Sequence, residues 1–172
     1  MRKIILQVAV TLDGFIEGPN GEIDWCFDDG NDYGMNEFLK RIDSLLMGRK
    51  TYELTLKMSG TGFPDHSSYV FSNSLSKVEE GYNLVKGDLK TAVANFRNAP
   101  GKDIWLFGGA ALTASFMNAG LVDEILLAVH PVLLGAGKPA FGDYSGKVNL
   151  TLIDSKPYTS GLVMLHYRLN KA

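Results

Sequence analysis

Up to residue 120 the chain alternates apolar strand-like runs with amphipathic helix-like stretches, and beyond it only strand-like runs follow. That order constrains the fold more than any other feature. Neighbouring parallel strands need a long crossover, usually a helix, whereas strands joined by short turns pair antiparallel. The pattern predicts a three-layer α/β domain with a mainly parallel central sheet and antiparallel strands added at its C-terminal end. No repeat, low-complexity tract or linker divides the sequence, so residues 1–172 read as a single domain.

The individual segments support this order. "KIILQVAV" (3–10) reads as a strand buried on both faces, and residues 12–25 carry loop signals. Met35, Phe38, Leu39 and Ile42 recur at helical spacing and predict a helix over 32–43. A strand at 44–47, a helix at 51–58, and strands at 67–72 and 82–85 follow. A helix is expected over 89–98, a strand over 103–107, and a helix over 110–119 that Gly120 stops. Three strands finish the chain: 123–134, interrupted at Pro131, then 148–154 and 162–169 as an antiparallel pair.

Charge narrows the function classes. A net charge of −2 argues against nucleic acid or an anionic membrane as the main partner. The single Cys26 excludes an internal disulfide and fits a reducing cytosol. "MRKIILQVAV" begins like a signal peptide, but "TLDG" follows where a small-residue cleavage site belongs. No run is long enough for a membrane helix, so a cytoplasmic location is expected. His66, His130 and His166 have no metal-site spacing, and no metal is expected.

In an open α/β sheet the ligand binds at the carboxyl ends of the parallel strands. Three motifs lie there. "MGRKT" puts Gly48, Arg49, Lys50 and Thr51 at a helix start, where cations are unfavourable unless an anion joins them. "LFGGAAL" puts Gly108, Gly109 and Ala110 at a second helix start, where glycines let a pyrophosphate approach the backbone. It is not a G-x-G-x-x-G fingerprint, and a tight turn letting helix 110–119 pack on the sheet is the favoured reading of an isolated glycine pair. "VFSNSL" ends a strand with Ser72 and Asn73, a turn or a third set of donors. Together they point to a dinucleotide across the sheet, its adenosine end near residues 48–51 and 72–73.

The order "LQVAVTLDGFI", "MGRKTYE", "VFSN", "LFGGAAL", "DEILLAVHPVLLGAGKPAFG" resembles the dihydrofolate reductase superfamily over nearly the full chain. Within it, the chain is most similar to single-domain relatives of the reductase half of the bifunctional riboflavin-biosynthesis deaminase/reductase, for which "PVLLGAGKPAF" is the most specific marker. The resemblance implies a dihydrofolate reductase-like fold, NADPH as hydride donor and a pteridine- or pyrimidine-like acceptor, as in 5-amino-6-(5-phosphoribosylamino)uracil reductase. It matches Gly48, Arg49 and Thr51 to contacts with the cofactor phosphates, and Ser72 to a hydroxyl near the 2′-phosphate. It matches Gly108 and Gly109 to a glycine pair, often joined by a cis peptide, that approaches pyrophosphate and nicotinamide. Ala9 and Ile16 match positions whose backbone holds the nicotinamide amide. The "GRKT" form is that of dihydrofolate reductase rather than of the riboflavin enzymes, and the region 110–119 lacks an arginine, which leaves the acceptor open.

For the substrate, the resemblance implies a carboxylate on the first helix. Asp32, with Glu37 one turn on, is the candidate; an exposed Asp favouring the helix dipole is the plain alternative. Trp25 precedes this helix as a tryptophan does in the reductases, and a core tryptophan is the alternative. His130, inside an apolar strand, reads as a core histidine, and Cys26 beside Trp25 has no identifiable base. Dihydrofolate reductase itself and a catalytically silent NADPH-binding module are the competing readings. Both faces of "LVMLHYRL" are largely apolar, so a homodimer built on the C-terminal strands is expected.

Overall fold

A computed structural model describes residues 1–59 and 63–170. Its centre is an eight-stranded sheet of β1 (Ile4–Thr11), β3 (Ile42–Gly48), β4 (Ser67–Phe71), β5 (Tyr82–Val85), β6 (Asp103–Gly108), β7 (Glu124–His130), β9 (Leu150–Pro157) and β10 (Val163–Leu169). The spatial order is β5-β4-β3-β6-β1-β7-β10-β9. The first six strands are parallel, and β10 and β9 close the sheet antiparallel. This is the three-layer arrangement that the segment order predicts. A small ribbon of β2 (Phe15–Glu17) and β8 (Lys138–Pro139) lies apart from it.

Alternation along the strands sorts side chains between the two helical layers. Ile4 and Leu6 pack with Ile104, Leu106 and Phe116 beside α3 (Leu89–Asn98) and α4 (Ala110–Asn118). Ile5 packs with Phe38, Tyr52 and Trp105 on the other face, beside α1 (Met35–Arg41) and α2 (Arg49–Ser59). Both faces of β1, β3 and β6 are therefore covered, which is why these strands read as continuous apolar runs. No helix among the described residues is long and apolar enough to cross a membrane.

Two boundaries differ from the sequence reading for local reasons. Residues 32–34 turn rather than coil, because Tyr33 and Gly34 take left-handed φ angles of 49° and 84°, so α1 begins only at Met35. Ile42 has already gone extended and opens β3. The strand expected over 123–134 ends at His130, where Pro131 removes a ladder donor.

The amino ends of the parallel strands are tied by charge. Glu124, 3% exposed, accepts from Lys3 at 2.7 Å and pairs with Arg41 and His166 at 2.8 Å each. Burial alone would raise this carboxyl, but the bonds from Lys3, His166 and Arg41 outweigh it and hold the pKa at about 2. Arg2 pairs with Asp43 nearby. These groups lie at the sheet edge away from the motifs singled out above.

Candidate active site

The crevice follows from the strand register. β1 pairs with β6 only as far as Leu6↔Leu106, while its pairing with β7 runs on to Thr11↔His130. The two central strands therefore part at their carboxyl ends. A cavity of about 310 Å³ opens there, lined among others by Val8, Ile16, Leu54, Met58, Phe107 and Gly109. Leu54 and Met58 are 48% and 69% exposed, so α2 presents apolar surface to an open cleft.

A second cavity of about 370 Å³ shares Glu17, Thr51, Leu54, Gly109 and Ala110 with the first. Gly48, Thr51 and Ala110 bring the starts of α2 and α4 to this one space. Thr51 joins them directly, because the Gly109 N–H donates to Thr51 Oγ1 at 2.9 Å. A Cβ on Gly109 would sit 2.9 Å from that same oxygen, closer than real Cβ contacts come. A side chain here would displace the Thr51 hydroxyl. Among the described residues no peptide bond is cis, so the Gly108–Gly109 link is trans where the resemblance pointed to a cis one.

The cations lining this second cavity are Lys50 and Lys138. Arg49 lies outside both linings, half exposed, with Nε 3.8 Å from Glu53 one turn along its helix. Gly48 and Phe71 are register partners, so Arg49 and Ser72 leave adjacent strand ends. Ser72 Oγ accepts from the Leu75 N–H at 3.2 Å, and Asn73 Oδ1 from the Gly87 N–H at 2.9 Å, so both also hold turns.

Lys138 and its partner Glu17 went unnoticed in the sequence, although Lys138 lies within the "PVLLGAGKPAF" marker. The structure explains that marker. Asp13 of "TLDG" accepts from the Gly135 N–H at 2.8 Å and the Leu134 N–H at 3.1 Å. The Thr11 hydroxyl and these backbone groups hold its carboxyl below the usual range. Gly137 then crosses β2 so closely that a Cβ would stand 2.2 Å from the Glu17 carbonyl oxygen. The clamp delivers Lys138 to Glu17 at 3.2 Å, beside the second cavity.

On the α1 side a third cavity of about 450 Å³ lies over Ala9 and its register partner Ala128. Asp32 and Glu37 both line it, but neither carboxylate is uncommitted. Asp32 accepts from the Gly34 N–H at 3.1 Å and the Asn36 N–H at 2.9 Å, holding the turn into α1. Glu37 pairs with Lys40 at 2.6 Å on the exposed face. Trp25 packs edge-on against His130, ring centroids 5.2 Å apart, with its own Nε1 buried and unbonded. Asp32→Ala is expected to cost about 1 kcal/mol of stability, and Asp32→Asn roughly half of that, because the single asparagine oxygen can keep only one of the two backbone N–H bonds. A urea titration of both variants checks this; equal losses would mean the charge, not the turn, is what matters.

The third cavity also joins two residues that looked inert. His130 is 3% exposed and its Nδ1–H donates to the Ala128 carbonyl at 3.0 Å. That bond leaves Nε2 on the side of Cys26, whose Sγ is 3.8 Å away. Both line the cavity. Partial burial pushes the Cys26 thiol up, so it is a poor nucleophile here.

Comparison with known proteins agrees with this architecture. The model of the family described as "RibD C-terminal domain" matches residues 2–164. The Bacillus subtilis (strain 168) protein YyaP, uncharacterized, is 41% identical over 98% of this chain and 96% of its own. A crystal structure of a Shewanella sp. PV-4 protein named for riboflavin biosynthesis superimposes with a TM-score of 0.88 at 27% identity, over 98% of this chain and 99% of that one. Dihydrofolate reductase from Enterococcus faecalis, solved with NADP(H), reaches 0.73 at 16% identity over 98% and 97% of the two chains, a likeness of fold alone. With a dihydrofolate reductase-like sheet and a family match spanning almost its whole length, the chain belongs to the RibD C-terminal domain family.

Proposed function

We propose that this chain is an NADPH-dependent reductase that transfers hydride to a pteridine- or pyrimidine-like small molecule, resembling 5-amino-6-(5-phosphoribosylamino)uracil reductase. One observation carries the reading: the starts of α2 and α4 meet at Thr51 and Gly109, beside Lys50 and Lys138, at the mouth of a split sheet. Two helix starts and two ammonium groups, one of them shared with Glu17, suit a pyrophosphate, and the Thr51 hydroxyl that accepts the Gly109 N–H stands between the two starts. The donor set therefore fits the dinucleotide that the E. faecalis enzyme of the same fold was solved with.

In this reading Gly48, Thr51, Gly108, Gly109 and Ala110 receive the phosphates, and Arg49, Ser72 and Asn73 the adenosine end with its 2′-phosphate. Ile16 and the apolar wall of Leu54, Met58 and Phe107 exclude water from the nicotinamide side. Ala9, Asp32 and Glu37 line the acceptor cavity and Trp25 packs on His130 beside it, as the candidate substrate-side residues. NADPH, when bound, supplies the hydride; the chain orients it and keeps the crevice dry. A cytoplasmic location goes with this cofactor and with a lone thiol.

The test is a pair of titrations followed by turnover. NADPH should bind at least about ten-fold tighter than NADH, and Arg49→Leu should erase that margin, as expected for one lost charge-assisted bond. Absorbance at the nicotinamide band should then fall steadily with some member of a pteridine and pyrimidine panel. Tight binding without any turnover would favour the silent module instead.

A homodimer through the C-terminal strands belongs to the same proposal. Every residue of the edge strand β9 is exposed, with Leu150, Leu152 and Ile153 at 42%, 51% and 47%. An unpaired apolar edge of this kind invites a second strand. Light scattering at low micromolar concentration should return twice the chain mass, and Leu152→Asp should return a monomer. A monomeric parent protein would end this part of the proposal.

A further inference from the structure

The two ammonium groups beside the helix starts are not equivalent. Lys50 makes no ion pair among the described residues, whereas Lys138 stands against Glu17. Its Nζ lies 3.2 and 3.3 Å from the two carboxylate oxygens. A well-formed N–H···O bond between full charges is shorter, about 2.7–2.9 Å. The side chains are 39% and 33% exposed, so water screens the pair as well. A loose, partly exposed pair of this kind adds little to the fold and is readily exchanged.

The backbone beneath the pair does not share that freedom. Glu17 and Lys138 are register partners in the β2–β8 ribbon. Asp13 holds the Leu134 and Gly135 N–H groups before β8, and the Ala140 N–H donates to the Gly14 carbonyl after it. Gly137 crosses the Glu17 carbonyl with no room for a side chain. What remains free to rearrange is the two side chains.

Glu17 also stands where the first two cavities meet. It lines both, while its neighbour Ile16 lines only the first and Lys138 only the second. A pyrophosphate in the second cavity meets, on the same wall, a carboxylate that already holds one of its two cations. Two anions then compete for one ammonium, and the doubly charged pyrophosphate outweighs the single carboxylate.

We infer that Glu17 is an internal competitor of the cofactor: Lys138 pairs with Glu17 in the free protein and passes to the pyrophosphate when the dinucleotide binds, so that Glu17 sets how tightly the cofactor is held. The inference rests on the reductase reading above and deepens it.

A double-mutant cycle read by calorimetry tests it, with NADPH and inorganic pyrophosphate as the two probes. Glu17→Gln keeps the size of the side chain and removes its charge. It should tighten both probes by about three- to five-fold, the range that partly exposed charge pairs allow. Lys138→Met should weaken both. Its cost should be about three- to five-fold larger in the Glu17→Gln background than in the parent, because there the ammonium gives up no other partner. These factors should shrink toward one as salt rises from about 50 to about 500 mM. Equal costs of Lys138→Met in the two backgrounds would make Glu17 a bystander and overturn the inference. Unchanged or weaker binding in Glu17→Gln would overturn it too. So would tightening of NADPH alone, which would place the action of Glu17 at the nicotinamide. Pyrophosphate binding that obeys the cycle in a protein that ignores NADPH would sink the reductase and leave the exchange standing. NADPH binding with an additive cycle would do the reverse.

Discussion

Gly109→Val is expected to weaken NADPH binding by at least about a hundred-fold, roughly 3 kcal/mol, while the domain stays folded. The first atom of the new side chain would already press on Thr51 Oγ1 at 2.9 Å. Thr51 must then rotate away and release the Gly109 N–H, whose bond ties the starts of α2 and α4. The valine methyl groups would occupy the space that the two adjoining cavities share. The helix behind survives, because α4 is anchored by Phe116 and Met117 in the core rather than by its first residue. Calorimetry gives the affinity and circular dichroism the fold. A folded variant with unchanged affinity would reduce "LFGGAAL" to a packing turn.

The second large effect concerns stability and sits at the other end of the sheet. Glu124 titrates at about 2 in the fold against an ordinary 4.5. A depressed carboxyl contributes stability above its unfolded pKa and loses it as pH falls through the folded one. The native protein should therefore lose about 3 kcal/mol from this group between about pH 5 and pH 2. Glu124→Gln should lack that component, and should be about 3 kcal/mol less stable near neutral pH because Lys3, Arg41 and His166 lose their shared counter-charge. Urea titrations of both proteins across this window give the difference directly. Other depressed carboxyls, Asp13 and Asp88 among them, cancel in it. Parallel acid profiles for the two proteins would contradict the assignment.

How much of this was legible in the chain depended on how local each cause was. β1, β3 and β6 could be read because they are buried on both faces, which leaves an unbroken apolar run. The helical spacing of Met35, Phe38, Leu39 and Ile42 runs on past the true end of α1 at Arg41. Ile42 fills the same core from a strand. β2 and β8 left no periodic signal, since five residues between them are held by the Asp13 clamp rather than by their own pattern.

The site divides in the same way. Gly108 and Gly109 announced themselves by composition, and Thr51 by its place at a helix start. Lys138 did not, because only the fold brings it to Glu17 and Lys50. Cys26 and His130 were each read alone as inert; their meeting depends on the loop before α1 folding over the end of β7. Asp32 stands out in the chain only through the resemblance or as an Asp favouring a helix dipole; the turn it holds with two backbone hydrogen bonds is visible only in the fold.

The central claim is that the crevice between β1 and β6 is a dinucleotide site. Isothermal titration of the purified protein with NADPH tests it most directly. The account predicts one NADPH per chain, with an affinity in the micromolar range or tighter, abolished in Gly109→Val. No heat of binding and no thermal stabilisation at millimolar NADPH, in a folded protein, would contradict it.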